Sequence, residues 1–284
     1  MSILDHKIDF VALISVEKAN PNGDPLNGNR PRQNFDGYGE ISDVAIKRKI
    51  RNRLIDMGER VFVQSNDKNV DGFKSLKDRA DAVEDLKELS KGKSKDPDKF
   101  AEVAVREWID VRSFGQVFAF KGQDISVGVR GPVSIHTATS IDPIDINSMQ
   151  ITKSVNSVTG DKKGSDTMGM KHRVDFGLYL VKGSINVQLA EKTKFTVADA
   201  EKIKEALRTL FENDASAARP DGSMAVEKLY WWEHSSKLGQ YPSAKVHRSL
   251  HVVSKKDAPK SVADYSIELE LLDGLHVEEL IDGL

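Results

Sequence analysis

Residues 8–16 read IDFVALISV and residues 43–57 read DVAIKRKIRNRLIDM, which places a strand pattern and a helix pattern close together. In the first stretch apolar residues alternate, so one face of a half-buried strand is formed by Ile8, Phe10, Ala12, Ile14 and Val16. In the second stretch apolar residues recur at helical spacing. Ser42 is the predicted N-cap of this helix, and Gly58 is the residue expected to end it. The sequence therefore predicts a strand followed by an amphipathic helix.

The loop between these elements is rich in turn-forming residues. Residues 20–39 read NPNGDPLNGNRPRQNFDGYG, and Gly, Asn and Pro all favour turns. Clustered glycines expose backbone amides and arginines supply paired donors, so the candidates for holding phosphate are Asn20, Asn22, Arg30 and Arg32. An ordinary solvated loop is the alternative, because neither a Walker A nor a G-x-G-x-x-G pattern is present.

The predicted helix carries five cations and no acid between residues 47 and 53. Lys47 and Arg51 flank its apolar face on one side, so both can reach one ligand, and Arg48 points away. Without acidic partners one turn away, these cations favour an anionic ligand over an ordinary solvated helix face. The apolar face is predicted to consist of Ile46, Ile50, Leu54 and Met57.

Two segments interrupt the succession of strands and helices. Residues 66–99 are charged and contain the break KGKSKDPDK, which predicts an exposed insertion, and WIDVRSFGQVFAF then leads to a strand expected over residues 124–135. Residues 136–170 are rich in Thr, Ser, Asn, Asp and Gly, which predicts a protruding arm with a hairpin tip at residues 162–164. The basic residues 171–173 follow the arm.

The second half of the chain continues with a helix and a strand. Thr196 is a predicted N-cap for a helix to about Asn213, and MAVEKLYWWEH at residues 224–234 predicts a strand after a Pro-Asp-Gly turn. The resulting order β, α, β, β, α, β is typical of an α+β fold. It indicates a ferredoxin-like or RRM-like core with large insertions.

Tyr230, Trp231 and Trp232 in this last strand have two interpretations. Aromatic side chains stack on bases in proteins that bind single strands. Successive strand residues point to opposite faces, however, which favours one tryptophan in the core and the other beneath an insertion.

Residues suited to catalysis are few. The chain has no cysteine, which excludes thiolate nucleophiles and disulfides and favours a reducing, cytoplasmic location. His247 and His251 are expected on one face of a strand, but no acid stands at the spacing of a third metal ligand. Asp24 or Asp36 can position a metal or activate a ribose hydroxyl, so RNA cleavage is the enzymatic alternative to turn formation.

Charge is distributed unevenly along the chain. The net charge is -2, but residues 261–284 hold seven acids and no lysine or arginine. The rest of the chain therefore has a surplus of five basic residues, and the position of charge matters more for binding than its sum. No apolar run approaches the length of a membrane span.

Five stretches together carry a family resemblance. NPNGDPLNGNRPR is followed by GYGEISDVAIKRKIRN, and RSFGQVF, MGMKHRVDFGLYL and KLYWWEH come later in that order. The chain resembles the Cas7 superfamily of CRISPR-associated proteins over essentially its whole length, and specifically its Csd-two/Csh-two branch. The resemblance implies a single domain over residues 1–284, with an RRM-like palm, a helical finger at about residues 60–111 and a β-hairpin thumb at about residues 131–173.

The resemblance also implies a function. It implies a non-catalytic crRNA-binding backbone subunit of a type I-C Cascade, stacked along the guide RNA as a filament while target DNA pairs with the guide. The implied partners are crRNA, target DNA, copies of this chain and other Cascade subunits of the Cas-five, Cas-eight and small-subunit types, without cofactor or metal. Superfamily members of type III systems cleave RNA with an Asp of the early loop, so a metal-dependent endoribonuclease using Asp24 or Asp36 is the alternative.

Individual residues match the family pattern. Ser42, Lys47 and Arg51 match contacts to the guide backbone, Arg30 or Arg32 matches a loop contact, and a methionine of the MGM motif is expected beside a displaced base. The acidic C-terminal segment is expected to meet a basic face of a neighbouring subunit. The complete set of predicted RNA-binding residues is Asn20, Asn22, Arg30, Arg32, Ser42, Lys47, Arg48, Arg51, Arg112, Met168, Met170 and Lys171.

Overall fold

The computed structural model describes residues 2–91, 96–120, 126–152 and 168–281. Its strands are β1 (Ile8–Ala19), β2 (Gly23–Asp24), β3 (Arg30–Pro31), β4 (Tyr38–Ile41), β5 (Gly115–Phe118), β6 (Val127–Arg130), β7 (Val133–Ile135), β8 (Ala138–Pro143), β9 (Ile146–Thr152), β10 (Met168–Ile185), β11 (Met224–Glu233), β12 (Leu250–Ser254), β13 (Tyr265–Leu269) and β14 (His276–Ile281). Its α-helices are α1 (Asp43–Asp56), α2 (Leu76–Asp81), α3 (Glu84–Lys91), α4 (Pro97–Glu107), α5 (Ile109–Phe114), α6 (Val187–Thr193), α7 (Val197–Arg208) and α8 (Ser243–Arg248). None of the helices within these ranges is both long and apolar enough to cross a bilayer.

The architecture is mixed α and β, built on one antiparallel sheet in the order β14-β11-β1-β10-β8-β4. β1 pairs with β10 on one side and with β11 on the other. The expectation of a half-buried strand at residues 8–16 is wrong, since β1 is buried on both faces over these residues apart from a partly exposed Ser15. Helices cover one face of the sheet and the C-terminal part of the chain covers the other.

The helical face of the sheet forms the main hydrophobic core. β1 presents to it the alternate residues predicted from the sequence, and Phe10 stacks on Trp231 with 5.5 Å between ring centroids. The predicted apolar face of α1 is buried here, apart from Met57, which is only partly covered. From α1 and α7 the core takes Ile46, Ile50, Leu54, Ala200, Ile203, Ala206 and Leu207.

Helix boundaries follow local capping. α1 begins after Ser42, whose Oγ accepts a backbone N–H of the first turn, as predicted. α7 begins after Thr196, which forms a capping box with Asp199. The expected extension of α7 to Asn213 is wrong, because the helix ends at Arg208 and Asn213 has a φ of 55°, outside the helical region.

Residues 234–275 cover the second face of the sheet. α8 and the β12–β13 hairpin pack there against Tyr230 and Trp232. Trp231 and Trp232 therefore enter cores on opposite faces, as strand alternation predicted, and both are buried. Tyr230 is buried as well, so the interpretation of these three residues as a stacking surface is wrong.

The C-terminal segment departs from one further expectation, that His247 and His251 lie on one face of a strand. His247 lies in α8, buried with its Nε2 2.9 Å from the Gly183 carbonyl oxygen, whereas His251 is exposed on β12. The two histidines do not share a strand. Within the acidic segment, β14 pairs with β11, and three acids bind lysines of the same chain, in the pairs Lys204–Glu278 at 2.9 Å, Lys228–Glu279 at 2.6 Å and Lys256–Asp264 at 2.8 Å.

A second hydrophobic cluster lies outside the main core, between Phe62 and Val129. It contains α4 and α5 and residues of α2 and α3, and its aromatic centre is formed by Phe62, Phe100, Trp108 and Phe118. The hairpin β5–β6 contributes Phe118 and Val127 to the cluster. This apolar core therefore continues past residue 111, where the finger was expected to end.

The single strand expected over residues 124–135 is wrong within the described part of that range. β6 pairs with β5, whereas β7 pairs with β10 in the main sheet. Gly131 separates them, at a point where a Cβ would lie 2.3 Å from the Ser113 carbonyl oxygen. Only glycine permits so close an approach of two backbones, and the following Pro132 has no N–H to continue a ladder.

Within the described residues, the arm is formed by β9 and the first part of β10. Residues 168–174 pair with β9 and residues 174–185 pair with β1, so one long strand runs from the sheet into the arm. β7 and β8 lie within residues 131–173, the range expected for the thumb, and they pair with the part of β10 that runs in the main sheet. The predicted tip at residues 162–164 lies outside the described residues.

Candidate nucleic-acid interface

The Gly- and Asn-rich segment between β1 and β4 contains a small hairpin. β2 pairs with β3 around a 3₁₀ turn at Pro25–Asn27. Asp24 Oδ1 accepts a hydrogen bond from the Leu26 N–H at 3.2 Å, and Gly28 and Asn29 have positive φ values of 58° and 59°. Asp24 therefore has a turn-forming role, and the turn fixes the hairpin that carries both candidate arginines.

Asparagines of the same segment anchor the N-terminus of α1. Asn22 Oδ1 accepts the Ser42 N–H at 2.9 Å, and Ser42 Oγ accepts the Ala45 N–H at 3.2 Å. Because Ser42 Oγ acts there as an acceptor, its hydroxyl hydrogen can be donated to an outside oxygen such as that of a phosphate. Asn20 is buried and donates to the Asn29 carbonyl oxygen at 2.7 Å, so it shapes the hairpin instead of facing a ligand.

Every α1 cation between residues 47 and 53 has an acidic partner, so the expectation of unpaired cations is wrong. Four of these acids belong to other segments and approach α1 only in the folded chain. The fifth, Asp43, lies one turn earlier in α1 itself. The pairs are Lys47–Asp43 at 3.0 Å, Arg48–Asp67 at 3.1 Å, Lys49–Asp214, Arg51–Asp110 at 2.9 Å and Arg53–Glu212 at 3.1 Å.

Lys49 lies deepest of these cations. Burial lowers the pKa of Lys49 to about 8, although the Asp214 carboxylate acts in the opposite direction. Asp214 also binds Arg219 at 3.1 Å. This network joins α1 to the turns after α7 and is a structural contact between elements.

Arg51 and Arg112 are also held mainly by contacts within the protein. Arg51 Nε donates to Asp110 at 2.9 Å, and its guanidinium lies 5.1 Å from the Phe114 ring centre. Arg112 forms a bidentate pair with Asp199 at 2.9 and 3.0 Å. Burial raises the pKa of Asp199, but hydrogen bonds from Arg112 and the helix cap outweigh burial and hold that pKa below its usual value. Both arginines therefore stabilise contacts between neighbouring structural elements.

Strand alternation divides the residues of the arm between two faces. Met168, Met170 and His172 share one face, on which both methionines are more than half exposed. Lys171 and Arg173 lie on the other face, where Arg173 lines a cleft of about 1140 Å³ at the base of the arm. The structure therefore separates Lys171 from the two methionines with which the sequence grouped it.

The methionine face of the arm meets the early hairpin. Arg30 Nη1 donates to Ser148 Oγ at 3.1 Å, and the same oxygen lies 2.8 Å from Nδ1 of His172. The hairpin is tied in turn to α1, because Asn22 accepts hydrogen bonds from the N–H groups of both Arg32 and Ser42. A continuous series of contacts thus runs from α1 to the arm. We call this the hairpin–arm surface and define it by Arg30, Arg32, Ser42, Lys47, Met168 and Met170.

The carboxylates of the early segment take part in turns. Asp24 lies 3.7 Å from Arg32, and Asp36 is exposed in a turn where its N–H donates to Asn34 Oδ1 at 3.0 Å. Over the described ranges, no group of three or more His, Asp or Glu side chains is placed to hold a metal ion.

Sequence reasoning missed two residues, one in the arm and one in the early segment. Ser148 joins the hairpin to the arm, but a serine in a polar segment is unremarkable in a sequence. Phe35 is fully exposed, and the signal that points to it is an aromatic residue within a run of turn formers that contains one other aromatic residue, Tyr38.

Comparison with known proteins places the chain in a family. The profile of the family described as CRISPR-associated protein Cas7 matches residues 6–270. The chain belongs to this family. A CRISPR-associated protein Cas7 from Haloferax volcanii is 26% identical over 255 residues, which cover 84% of this chain and 68% of the relative.

Solved structures contain chains that resemble this Cas7-family protein. A chain of a CRISPR RNA-guided surveillance complex, described as pre-nicking, matches with a TM-score of 0.51 and 16% identity, over 80% of this chain and 75% of that one. A chain of another CRISPR RNA-guided surveillance complex matches with a TM-score of 0.42 and 15% identity, over 80% and 68%. The first match shows a similar fold.

Proposed function

We propose that this Cas7-family protein binds guide RNA as a non-catalytic backbone subunit of a type I-C CRISPR Cascade complex. The observation that carries the proposal is the hydrogen bond between Arg30 and Ser148, which joins the basic hairpin to an arm with exposed methionines. One surface thereby offers cations for phosphates and apolar side chains for bases.

The proposed scaffold for this surface is an RRM-like palm. Support comes from the chain order β1, α1, β8, β10, α7, β11 and from the sheet order β11-β1-β10-β8, in which every neighbouring pair is antiparallel. In this arrangement the first strand lies between the fourth and the third, as in ferredoxin-like folds. The aromatic cluster from Phe62 to Val129 would be the finger, and β9 with the first part of β10 would be the thumb.

Each part of the hairpin–arm surface has a separate task in RNA binding. Arg30, Arg32 and Lys47 neutralise phosphates, and the Ser42 hydroxyl donates to a phosphate oxygen. The exposed methionines of the arm pack against a displaced base. Arg51 and Arg112 act indirectly, since they fix the elements that carry the surface. Such contacts recognise backbone and shape, so base pairing between guide and target DNA supplies sequence specificity.

The proposed partners follow from this role. They are crRNA, target DNA, further copies of this chain in a filament and Cascade subunits of the Cas-five, Cas-eight and small-subunit types. A cytoplasmic location and a contact between the acidic segment and a neighbouring subunit stay predictions from the sequence.

Purified protein mixed with single-stranded RNA of increasing length, first in EDTA and then in manganese, tests the proposed function. We expect binding in steps as the RNA becomes longer, because each added copy needs its own stretch of strand, and we expect intact RNA on a gel in both conditions. RNA fragments that appear only with manganese would instead assign the chain to the metal-dependent endoribonucleases, and Asp24 and Asp36 would then be the residues to replace.

A further inference from the structure

Arg30, Ser148 and His172 form a chain of hydrogen bonds between the early hairpin and the arm. Ser148 on β9 is paired with His172 on β10, so the two side chains lie on the same face of the arm. Ser148 Oγ accepts a hydrogen bond from Arg30 Nη1 at 3.1 Å and lies 2.8 Å from Nδ1 of His172. One hydroxyl group thereby contacts two side chains that come from distant parts of the chain.

The Ser148 hydroxyl also bears on which ring nitrogen of His172 carries hydrogen. Arginine has donors but no acceptor, so Ser148 Oγ is the acceptor toward Arg30 and keeps its own hydrogen for another bond. When that hydrogen is donated to the neighbouring Nδ1, the hydroxyl is bonded to both side chains at once. Nδ1 is then an acceptor, and the neutral imidazole carries its hydrogen on Nε2.

Nε2 of His172 is left for a ligand. The side chain is partly exposed, and no hydrogen bond or ion pair reaches Nε2 from the described residues. Arg30 likewise has no ion pair with an acid within the described ranges, because Asp24 of the same hairpin lies 3.7 Å from Arg32 instead. Two donors thus lie on either side of one hydroxyl, and neither is paired with a carboxylate.

These donors lie next to the exposed methionines of the arm. Met170 and His172 share a face and are two residues apart on β10, a separation of about 7 Å along an extended strand. The base and the phosphate of one nucleotide are joined through a single sugar. A base that packs on Met170 therefore brings its phosphate close to His172 and Arg30.

We propose that His172 binds a phosphate oxygen of the RNA strand through Nε2, beside the phosphate contact of Arg30, and that Ser148 is the positioning residue for both side chains. The oxygens of a phosphodiester only accept hydrogen bonds, and both groups offered here are donors. The inference rests on the proposed function, because the strand concerned is the one bound along the hairpin–arm surface. It adds His172 as a ligand-binding residue to that surface.

Two replacements of His172 separate the proposed contact from a purely structural role. His172→Asn keeps an acceptor for Ser148 near the position of Nδ1 but has no group at the position of Nε2, whereas His172→Gln places an amide donor near Nε2. The Asn variant should bind a short oligouridylate RNA in EDTA roughly 10- to 100-fold more weakly, the range for losing one hydrogen bond to a charged group. An abasic ribose-phosphate strand of equal length should lose as much affinity. The Gln variant should recover part of it, as measured by fluorescence anisotropy.

Nitrogen-15 NMR of the imidazole rings tests the role of Ser148 before any RNA is added. The signals of His172 are those missing from the His172→Asn protein, and they should show hydrogen on Nε2 and none on Nδ1. Added oligouridylate should shift the Nε2 signal. In the Ser148→Ala protein the Nδ1 signal should move, because its donor is removed, and RNA affinity should fall. Hydrogen on Nδ1 in the unmodified protein would contradict the proposed role of Ser148.

His251→Asn is the matched control, since His251 is an exposed histidine of β12, which covers the opposite face of the main sheet. It should bind both strands as the unmodified protein does. Unchanged binding by the His172→Asn protein, or weaker binding by the Gln variant than by the Asn variant, would overturn the phosphate contact and leave the proposed function standing. A loss confined to the oligouridylate would overturn it in favour of a contact to a base. Failure of the unmodified protein to bind any strand would refute the proposed function as well.

Discussion

Asp110→Ala should lower the free energy of unfolding by roughly 3–5 kcal/mol, the range for removing one partner of a buried ion pair. Asp110 is buried and accepts three hydrogen bonds, from Arg51 Nε at 2.9 Å and from the backbone N–H groups of Phe62 and Val63 at 2.7 and 3.1 Å. Alanine would leave these donors without their acceptor. Chemical denaturation followed by tryptophan fluorescence measures the loss.

Asp67→Ala is the matched control for this effect. Asp67 also pairs with an arginine of α1, Arg48, at 3.1 Å, but its side chain is 70% exposed, and exposed pairs contribute roughly 0–1 kcal/mol. If the two variants were equally stable, the carboxylate of Asp110 would not be what holds α1 to the aromatic cluster.

Replacing Arg30 and Lys47 together with alanine should weaken single-stranded RNA binding by on the order of 10- to 100-fold and reduce the slope of log affinity against log salt by roughly 1.4. The slope change corresponds to two phosphate contacts, each of which releases about 0.7 counterions from a single strand. Arg51 is left in place, because its loss would disturb the Asp110 site. Fluorescence anisotropy at several salt concentrations gives both quantities.

Lys245→Ala combined with Arg248→Ala is the corresponding control. These replacements remove the same charge from α8, which packs on the opposite face of the main sheet. RNA affinity and its salt slope should then equal those of the unmodified protein. A normal salt slope in the Arg30 and Lys47 variant would exclude phosphate contacts at these two side chains.

Short-range patterns in the sequence predicted the elements that carry the surface. The Ser42 cap and the spacing of Ile46, Ile50 and Leu54 located α1, and the capping residue Thr196 located the start of α7. The alternation of side chains in the strand at residues 224–234 correctly predicted that Trp231 and Trp232 lie on opposite faces of the sheet. Each of these features depends only on residues a few positions away in the chain, so a short stretch of sequence is enough to predict it.

Long-range contacts could not be predicted in this way. Arg51 appears unpaired in any window around α1, but Asp110 lies 59 residues away and meets it only in the folded chain. Burial of β1 on both faces likewise depends on the C-terminal segment, which packs against it from more than 200 residues away.

Ultraviolet cross-linking of a guide-length single-stranded RNA to the protein, followed by mass spectrometry of the cross-linked peptides, tests most directly where RNA binds. We expect cross-links within residues 20–48 and in the arm, at residues 146–152 and 168–174, because these segments form and border the hairpin–arm surface. Cross-links concentrated instead in residues 234–275, which cover the opposite face of the sheet, would contradict binding of guide RNA along this surface.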